Sequence, residues 1–163
     1  MSTTTAPLPA DALQQVIDGK LPLNVFFDLP AEQIQALAAS AYTVYEQGRT
    51  AEAKEMFEGL VALDSTSYYG YAGLGAIALA EEDLQTAHAN LAEAAKRNPK
   101  DATVQANLGE VLLRQGKGEE AAEAFRAALE LDPQGKDPGA NRARAILHGM
   151  SVVVKELEKA AGA

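Results

Sequence analysis

Small and apolar residues recur at intervals of 34 positions through the middle of the chain. The recurring sets are Ala53, Ala87 and Ala121; Phe57, Leu91 and Phe125; Leu60, Ala94 and Ala128; and Pro99 and Pro133. A repeat of this length is typical of arrays of helix pairs, in which each pair buries its apolar face against its neighbour. Such arrays usually present a surface to another protein rather than a reaction centre. The pattern therefore raises the question of what that surface binds.

The same period predicts three consecutive helix pairs within residues 31–133. Gly48 is expected to end the first helix in the left-handed conformation, because glycine has no Cβ to clash there. Pro99 and Pro133 are expected to follow the ends of the second and third pairs, since the residue before proline disfavours helical geometry. The predicted repeats are 34–67, 68–101 and 102–135, with helices over about 31–47 and 50–63, 68–80 and 84–97, and 102–115 and 119–131.

The residues outside the repeats form three predicted segments. Residues 1–10 are small, polar and proline-containing, and we expect them to be disordered. Residues 11–30 are expected to form a helical or dimerisation segment. A final helix over about residues 140–160 is expected to cap the open apolar face of the last repeat. Its apolar residues are Ile146, Met150, Val153 and Leu157 on one face, with Leu147 and Val154 beside them.

An apolar cluster precedes the repeats. It consists of Leu21, Leu23, Val25, Phe26, Phe27 and Leu29. This much apolar surface has to be covered, because large exposed apolar patches are uncommon on monomers. Two interpretations stay open: the cluster packs on the first repeat as an N-terminal cap, or it forms a homodimer contact.

Composition narrows the class of protein. The chain of 163 residues has a net charge of -9 and no cysteine. An acidic surface is repelled by phosphate backbones, which argues against nucleic-acid binding. No apolar run approaches the roughly 20 residues of a membrane helix, and the first residues do not resemble a secretory signal. We therefore expect a soluble cytoplasmic protein with one all-α domain.

The residues of each 34-residue unit resemble the tetratricopeptide repeat. The first repeat matches least well, since Ser65 stands where the other two have proline, and in the third repeat Gln105 departs from the pattern. The matching residues are Leu37, Ser40, Ala41, Val44, Ala53, Phe57 and Leu60; Tyr71, Leu74, Gly75, Ala78, Ala87, Leu91, Ala94 and Pro99; and Leu108, Gly109, Leu112, Ala121, Phe125, Ala128 and Pro133. The resemblance implies a solenoid of three helix-turn-helix repeats with a C-terminal capping helix.

A narrower resemblance concerns the tetratricopeptide chaperones of bacterial type III secretion, which hold hydrophobic translocator proteins. It is carried by the length, the segment before three repeats, the stretch from Leu37 to Asp64, and Tyr68-Tyr69 ahead of Gly73-Leu74-Gly75-Ala76. The third repeat reads like a generic repeat. The resemblance implies a Pro-x-Leu-x-x-Pro-like segment of a translocator as the ligand, and dimerisation through the N-terminal region.

The face of each first helix next to its packing stripe is predicted to line a concave peptide-binding groove. Its residues are Ala38, Tyr42 and Tyr45; Tyr69, Ala72, Ala76 and Leu79; and Ala106, Glu110 and Leu113. Repeats that grip a C-terminal carboxylate need cationic donors on this face, and none is found here. Tyrosine offers a rigid apolar ring with a hydrogen-bonding tip, which suits an extended proline-containing ligand. The alternative is that these tyrosines belong to the core.

Sequence motifs for catalysis or metal binding are lacking. His88 and His148 have no ligand partner one helical turn away, so no metal site is predicted. The glycines of Gly73-Leu74-Gly75 lie inside a predicted helix, where close packing explains them better than phosphate binding. We expect neither cofactor nor enzymatic activity. A tetratricopeptide adaptor that organises a cytoplasmic or secretion-apparatus complex is the alternative function.

Overall fold

The computed structural model describes residues 11–18, 20–21, 23–26 and 29–161. Within them the chain forms helices and no strand, which confirms the predicted all-α class. The predicted disorder of residues 1–10 falls on residues outside this description. The elements are α1 (Ala12–Ile17), a 3₁₀ turn (Leu23–Phe26), α2 (Ala31–Glu46), α3 (Thr50–Leu63), α4 (Tyr69–Ala80), α5 (Leu84–Arg97), α6 (Ala102–Arg114), α7 (Gly118–Leu131) and α8 (Pro138–Ala161).

The turn inside each helix pair contains one residue with positive φ. Gly48 has φ 79° after α2, and Gly116 has φ 78° after α6. The equivalent residue after α4 is Glu82, with φ 63°. A side chain with a Cβ is disfavoured in this left-handed region, so the middle turn keeps a conformation that glycine would adopt more easily. The sequence predicts this ending for Gly48 but gives no equivalent signal at Glu82.

The chain divides into two compact units, Met1–Gly73 and Leu74–Ala163. In the first, α2 packs against α3 and the 3₁₀ turn contacts α3. Phe57 of α3 is fully buried and lies against Gly70 and Gly73 of α4. A Cβ on Gly73 would lie 2.3 Å from the Phe57 ring, so only glycine allows this approach.

The second unit repeats the same kind of contact twice. A Cβ on Gly75 of α4 would lie 2.6 Å from Leu91 of α5, and one on Gly109 of α6 would lie 2.6 Å from Phe125 of α7. Both large side chains are fully buried. Around them α6 packs against α5, α7 and α8. Close helix approach at small residues therefore builds this core, as the repeat pattern predicts.

Helix α8 changes character along its length. Ala140 and Ala143 are fully buried, and Ile146 and Leu147 pack against the cluster around Phe125. From 148 to 160 every residue is exposed. The first half of α8 thus covers α6 and α7, whereas Met150, Val153, Val154 and Leu157, which the sequence assigns to the capping face, contact no core of their own unit.

Candidate peptide-binding site

Two of the predicted groove residues of the first unit, Tyr42 and Tyr45, lie near the end of α2 and are half-buried. The Tyr42 ring meets Phe57 edge-to-face, with ring centroids 4.9 Å apart and planes at 66°. Such a pair contributes about 0.5–1.5 kcal/mol beyond the area it buries. Because Phe57 is itself fixed in the core, it holds the Tyr42 ring in a defined position. Tyr42 therefore packs against the core through its contact with Phe57 and is also partly exposed at the surface.

Tyr69 begins α4 and is also half-buried. Its ring lies against Tyr68, with centroids 4.2 Å apart and planes at 34°. The Tyr69 backbone N–H donates to the Ser67 hydroxyl at 3.4 Å, which helps fix the start of the helix. The Tyr68-Tyr69 pair thus forms a second rigid aromatic feature of the first unit.

The two alanines of the predicted groove in this unit lie deeper. Ala38 is 1% exposed and Ala72 is 4% exposed. A larger side chain at either position would have to fill space between the helices or push them apart. Of the predicted groove residues in the first unit, the tyrosines therefore carry the accessible surface.

The second unit presents fewer accessible residues of the predicted set. Ala76 and Leu113 are half-buried, whereas Ala106 is 1% exposed. Leu79 is 6% exposed and belongs to the core cluster with Leu91 and Val111. Leu113 packs beside the Phe125 cluster. In this unit the predicted face is therefore largely core, and Ala76, Glu110 and Leu113 are its partly exposed residues.

Glu110 is the charged member of the set, and its side chain is only 16% exposed. Its carboxylate accepts a hydrogen bond from Arg114, one helical turn away, at 2.6 Å, and lies 3.1 Å from Nε of Arg142 on α8. Arg142 also donates to the Asn107 side chain. Two cations therefore neutralise the carboxylate. The sequence identifies Glu110 but not Arg142, because only the packing of α8 on α6 brings them together.

The apolar cluster before the repeats is described in part. Leu21, Leu23 and Leu29 are half-buried, and Phe26 is 39% exposed. The 3₁₀ turn that carries Leu23 and Phe26 contacts α3. Phe27 and the side chain of Val25 lie outside the described residues. The choice between cap and homodimer contact stays a prediction.

An apolar pocket on the first unit was not predicted as a site. It has a volume of about 190 Å³ and is lined by Leu37, Met56, Gly59, Leu60 and Leu63. Leu37 is 45% exposed although it occupies a packing position of the repeat pattern. The sequence could have predicted this exposure, because no earlier repeat precedes the first one to cover Leu37.

One carboxylate of the second unit is held by backbone hydrogen bonds within a loop. Asp132 is 8% exposed and accepts hydrogen bonds from the backbone N–H groups of Lys136 and Asp137, at 3.0 and 2.9 Å. These bonds, with the nearby Arg144 guanidinium, hold the pKa of Asp132 below its usual value. They fix the loop from α7 into α8.

Other kinds of site were sought in the described part of the chain. No group of three or more His, Cys, Asp or Glu side chains there is arranged to hold a metal ion. Of the helices in the same residues, none combines the length and apolar character needed to cross a membrane.

The comparison with protein families matches residues 72–136 to the tetratricopeptide repeat. Among curated protein sequences none matches this chain. A type III secretion complex from Aeromonas hydrophila superposes with a TM-score of 0.66 at 23% identity, over 91% of this chain and 97% of that one. The Yersinia enterocolitica type III secretion chaperone SycD, in complex with a peptide of the translocator YopD, gives 0.61 at 22% identity over 79% and 97%.

A tetratricopeptide domain of a different kind is also similar. The first such domain of Spaghetti (RPAP3), bound to the HSP90 peptide SRMEEVD, has a TM-score of 0.61 at 18% identity, over 76% of this chain and 97% of that one. Identities this low establish similarity of fold. The predicted fold is confirmed: this chain has a tetratricopeptide repeat fold and resembles the type III secretion translocator chaperones in structure.

Proposed function

We propose that this chain is a non-enzymatic cytoplasmic chaperone of a bacterial type III secretion system. It binds an extended segment of a hydrophobic translocator protein, containing proline and leucine, and keeps that protein soluble before export. The observation that carries the proposal is the tyrosine surface of the first unit, where Tyr42, Tyr45 and Tyr69 are half-buried above deeply placed alanines.

The physical case rests on rigidity and polarity. The Tyr42 ring is held by Phe57, and the Tyr69 ring by Tyr68, so neither loses much freedom when a ligand docks. A proline-containing segment is already extended and loses little entropy itself. Stacking of proline and leucine side chains on fixed rings favours such a ligand over a charged one.

The electrostatics of the second unit support the same choice. A carboxylate-gripping site needs cations that are available to the ligand. Arg114 and Arg142 lie next to this face, but each already contacts the Glu110 carboxylate. An acidic peptide would have to compete with Glu110 for both, so we expect weak binding of such peptides.

Binding of a labelled Pro-x-Leu-x-x-Pro peptide, followed by fluorescence anisotropy, tests the site. We expect Tyr45→Ala and Tyr69→Ala each to weaken binding about tenfold or more, as for aromatic anchors of other interfaces. Tyr45→Phe, which keeps the ring, should bind within about threefold of the wild type. Leu131→Ala removes an exposed apolar side chain of α7, outside the predicted groove, and serves as the control.

Co-expression with translocators encoded near this gene tests the function separately. The proposal predicts that a translocator co-expressed with this chain, and with no other partner, is found in a soluble complex with it. If every candidate translocator stays insoluble and unbound, the chaperone function is wrong. If complexes form but the tyrosine variants bind normally, the function stands and the assigned surface is wrong.

The second candidate is a tetratricopeptide adaptor that assembles a cytoplasmic or secretion-apparatus complex. The observation in its favour is that residues 72–136 match the general tetratricopeptide family. An adaptor of the peptide-clamp type would bind an acidic peptide such as SRMEEVD. Affinity for that peptide above the affinity for the Pro-x-Leu-x-x-Pro peptide would favour the adaptor.

A further inference from the structure

The exposed half of α8 carries an apolar stripe that its own unit leaves uncovered. Met150 is 40% exposed, Val153 58% and Leu157 64%. These residues follow Ile146 at intervals of four, three and four, which is the spacing of a helix that pairs with another helix along a seam. From Ile146 to Leu157 the seam is about 17 Å long at 1.5 Å per residue.

We infer that this stripe binds the same stripe of a second copy of the chain, with the two helices antiparallel. In this pairing Met150 lies opposite Val153 of the second copy. The exposed part of Ile146, which is half-buried against its own unit, lies opposite Leu157. In an antiparallel pair, facing residues lie at equal distances on either side of the two-fold axis, so their numbers have a constant sum. Both pairs sum to 303, so a single two-fold axis relates them. The inference does not depend on the proposed chaperone function.

The residues flanking the stripe fit the same axis. On one side Leu147, which is half-buried against its own unit, lies opposite Val154 of the second copy, so its exposed part extends the apolar contact. On the other side Glu156 lies opposite Gly149, so no two like charges meet. Glu156 also pairs with Lys159 of its own helix at 2.6 Å, on the side away from the seam. A self-complementary surface of this kind is the condition for a closed dimer.

Antiparallel pairing is favoured over parallel pairing for two reasons. It opposes the two helix dipoles, whereas parallel helices align them. It also places the α6 and α7 of each copy at opposite ends of the seam. Since each chain has a net charge of -9, this separation reduces the repulsion between copies.

The charges also argue against a lipid surface as the occupant of the stripe. The exposed half of α8 contains Lys155, Glu156, Glu158 and Lys159, which sum to zero. Helices that lie on anionic membranes usually have an excess of Lys and Arg on the polar face. The net negative charge of the chain would oppose its approach to such a membrane.

Sedimentation velocity of the full chain, from roughly 1 to roughly 500 µM, tests the dimer. We expect the mass to rise from 17.1 kDa towards twice that value as the concentration increases. Val153→Glu should raise the dissociation constant at least about tenfold, because each dimer then buries two carboxylates against apolar side chains. Val152→Glu is the matched control: Val152 is 47% exposed but lies off the stripe, about 100° round the helix from Val153, so its effect should stay below about twofold.

Cross-linking tests the orientation. The chain has no cysteine, so Met150→Cys and Val153→Cys each introduce a single thiol. When the two variants are mixed and oxidised, antiparallel pairing gives mainly the mixed disulfide, since these two positions face each other. A parallel pair in register would give two homodimeric disulfides instead.

Any one of the following outcomes would overturn the inference. The wild-type chain could remain monomeric throughout the concentration range. Val153→Glu and Val152→Glu could change self-association equally. Finally, Leu21→Glu with Leu23→Glu could abolish a dimer that Val153→Glu leaves intact, which would place the contact at the N-terminal cluster. Binding of phosphatidylglycerol vesicles by a monomeric chain would assign the stripe to membranes.

Discussion

Two glycine-to-alanine substitutions in the first unit should change stability in opposite directions. Gly59 lies within α3 and is exposed, and a Cβ there would meet nothing within 4 Å. Gly73 lies within α4, and a Cβ there would lie 2.3 Å from two ring carbons of Phe57. The chemical change is the same, and only the surroundings differ.

The magnitudes follow from helix propensity and packing. Alanine in a helix interior is favoured over glycine by about 0.5–1 kcal/mol, so Gly59→Ala should stabilise the chain by that amount. Gly73→Ala gains the same helix-propensity free energy, but it places the new Cβ more than about 1 Å closer to the Phe57 ring than a normal carbon–carbon contact. Overpacking of this kind costs about 1–3 kcal/mol, and the fully buried Phe57 ring has no free space to enter. We therefore expect Gly73→Ala to be destabilised by about 2 kcal/mol.

Urea unfolding followed by tyrosine fluorescence measures both effects. The chain has no tryptophan, and its five tyrosines all lie between Tyr42 and Tyr71, so the signal reports on the first unit. Phe57→Leu, which removes the clashing ring, should reduce the cost of Gly73→Ala to below about 1 kcal/mol in a double-mutant cycle. A Gly73→Ala chain as stable as the wild type would refute the reasoning. Equal destabilisation by Gly59→Ala would also contradict it.

Three further substitutions test other parts of the structure. Glu82→Gly should stabilise the chain by up to about 1 kcal/mol in urea unfolding, because glycine relieves the positive φ of 63°; a loss of stability would show that the Glu82 side chain matters more than its backbone. Phe125→Ala should cost about 3–5 kcal/mol by circular dichroism, since the ring is 1% exposed, and a cost below about 1 kcal/mol would contradict the packing described. Folding lowers the pKa of Asp132, so the ionised carboxylate stabilises the fold. This contribution is fully present at pH values above the ordinary pKa of about 3.9, and it is lost as the pH falls through the lower pKa of the folded state. Asp132→Asn should therefore be less stable than the wild type at pH 7 and lose less stability on acidification through that window; parallel acid titrations of both chains would contradict this.

The sequence determined the repeat and the helices. Ala53, Ala87 and Ala121 set the register, and the helices of the structure begin and end within a few residues of the predicted bounds. This works because close helix packing restricts each signature position to small or large residues at a fixed interval. The small residues opposite Phe57, Leu91 and Phe125 follow from the same restriction.

The sequence could place the predicted groove residues on one face of each helix, but it could not give their exposure. Periodicity gives the direction of a side chain and not what covers it. Leu79 and Ala106 share that face with Leu113, yet the surrounding helices bury the first two and leave the third only half-buried. The Tyr42–Phe57 contact also depends on how α2 and α3 meet.

Contacts between distant parts of the chain were decided by tertiary structure alone. The ion pair of Glu110 with Arg142 forms because α8 packs on α6, and neither residue is unusual in its local sequence. The apolar stripe of α8 is readable from the sequence, but only the structure shows that Ile146 is half-buried against the Phe125 cluster while Met150, Val153 and Leu157 are exposed. Local patterns specify which residues can share a face, and the amount of surface left open depends on where the neighbouring helices end.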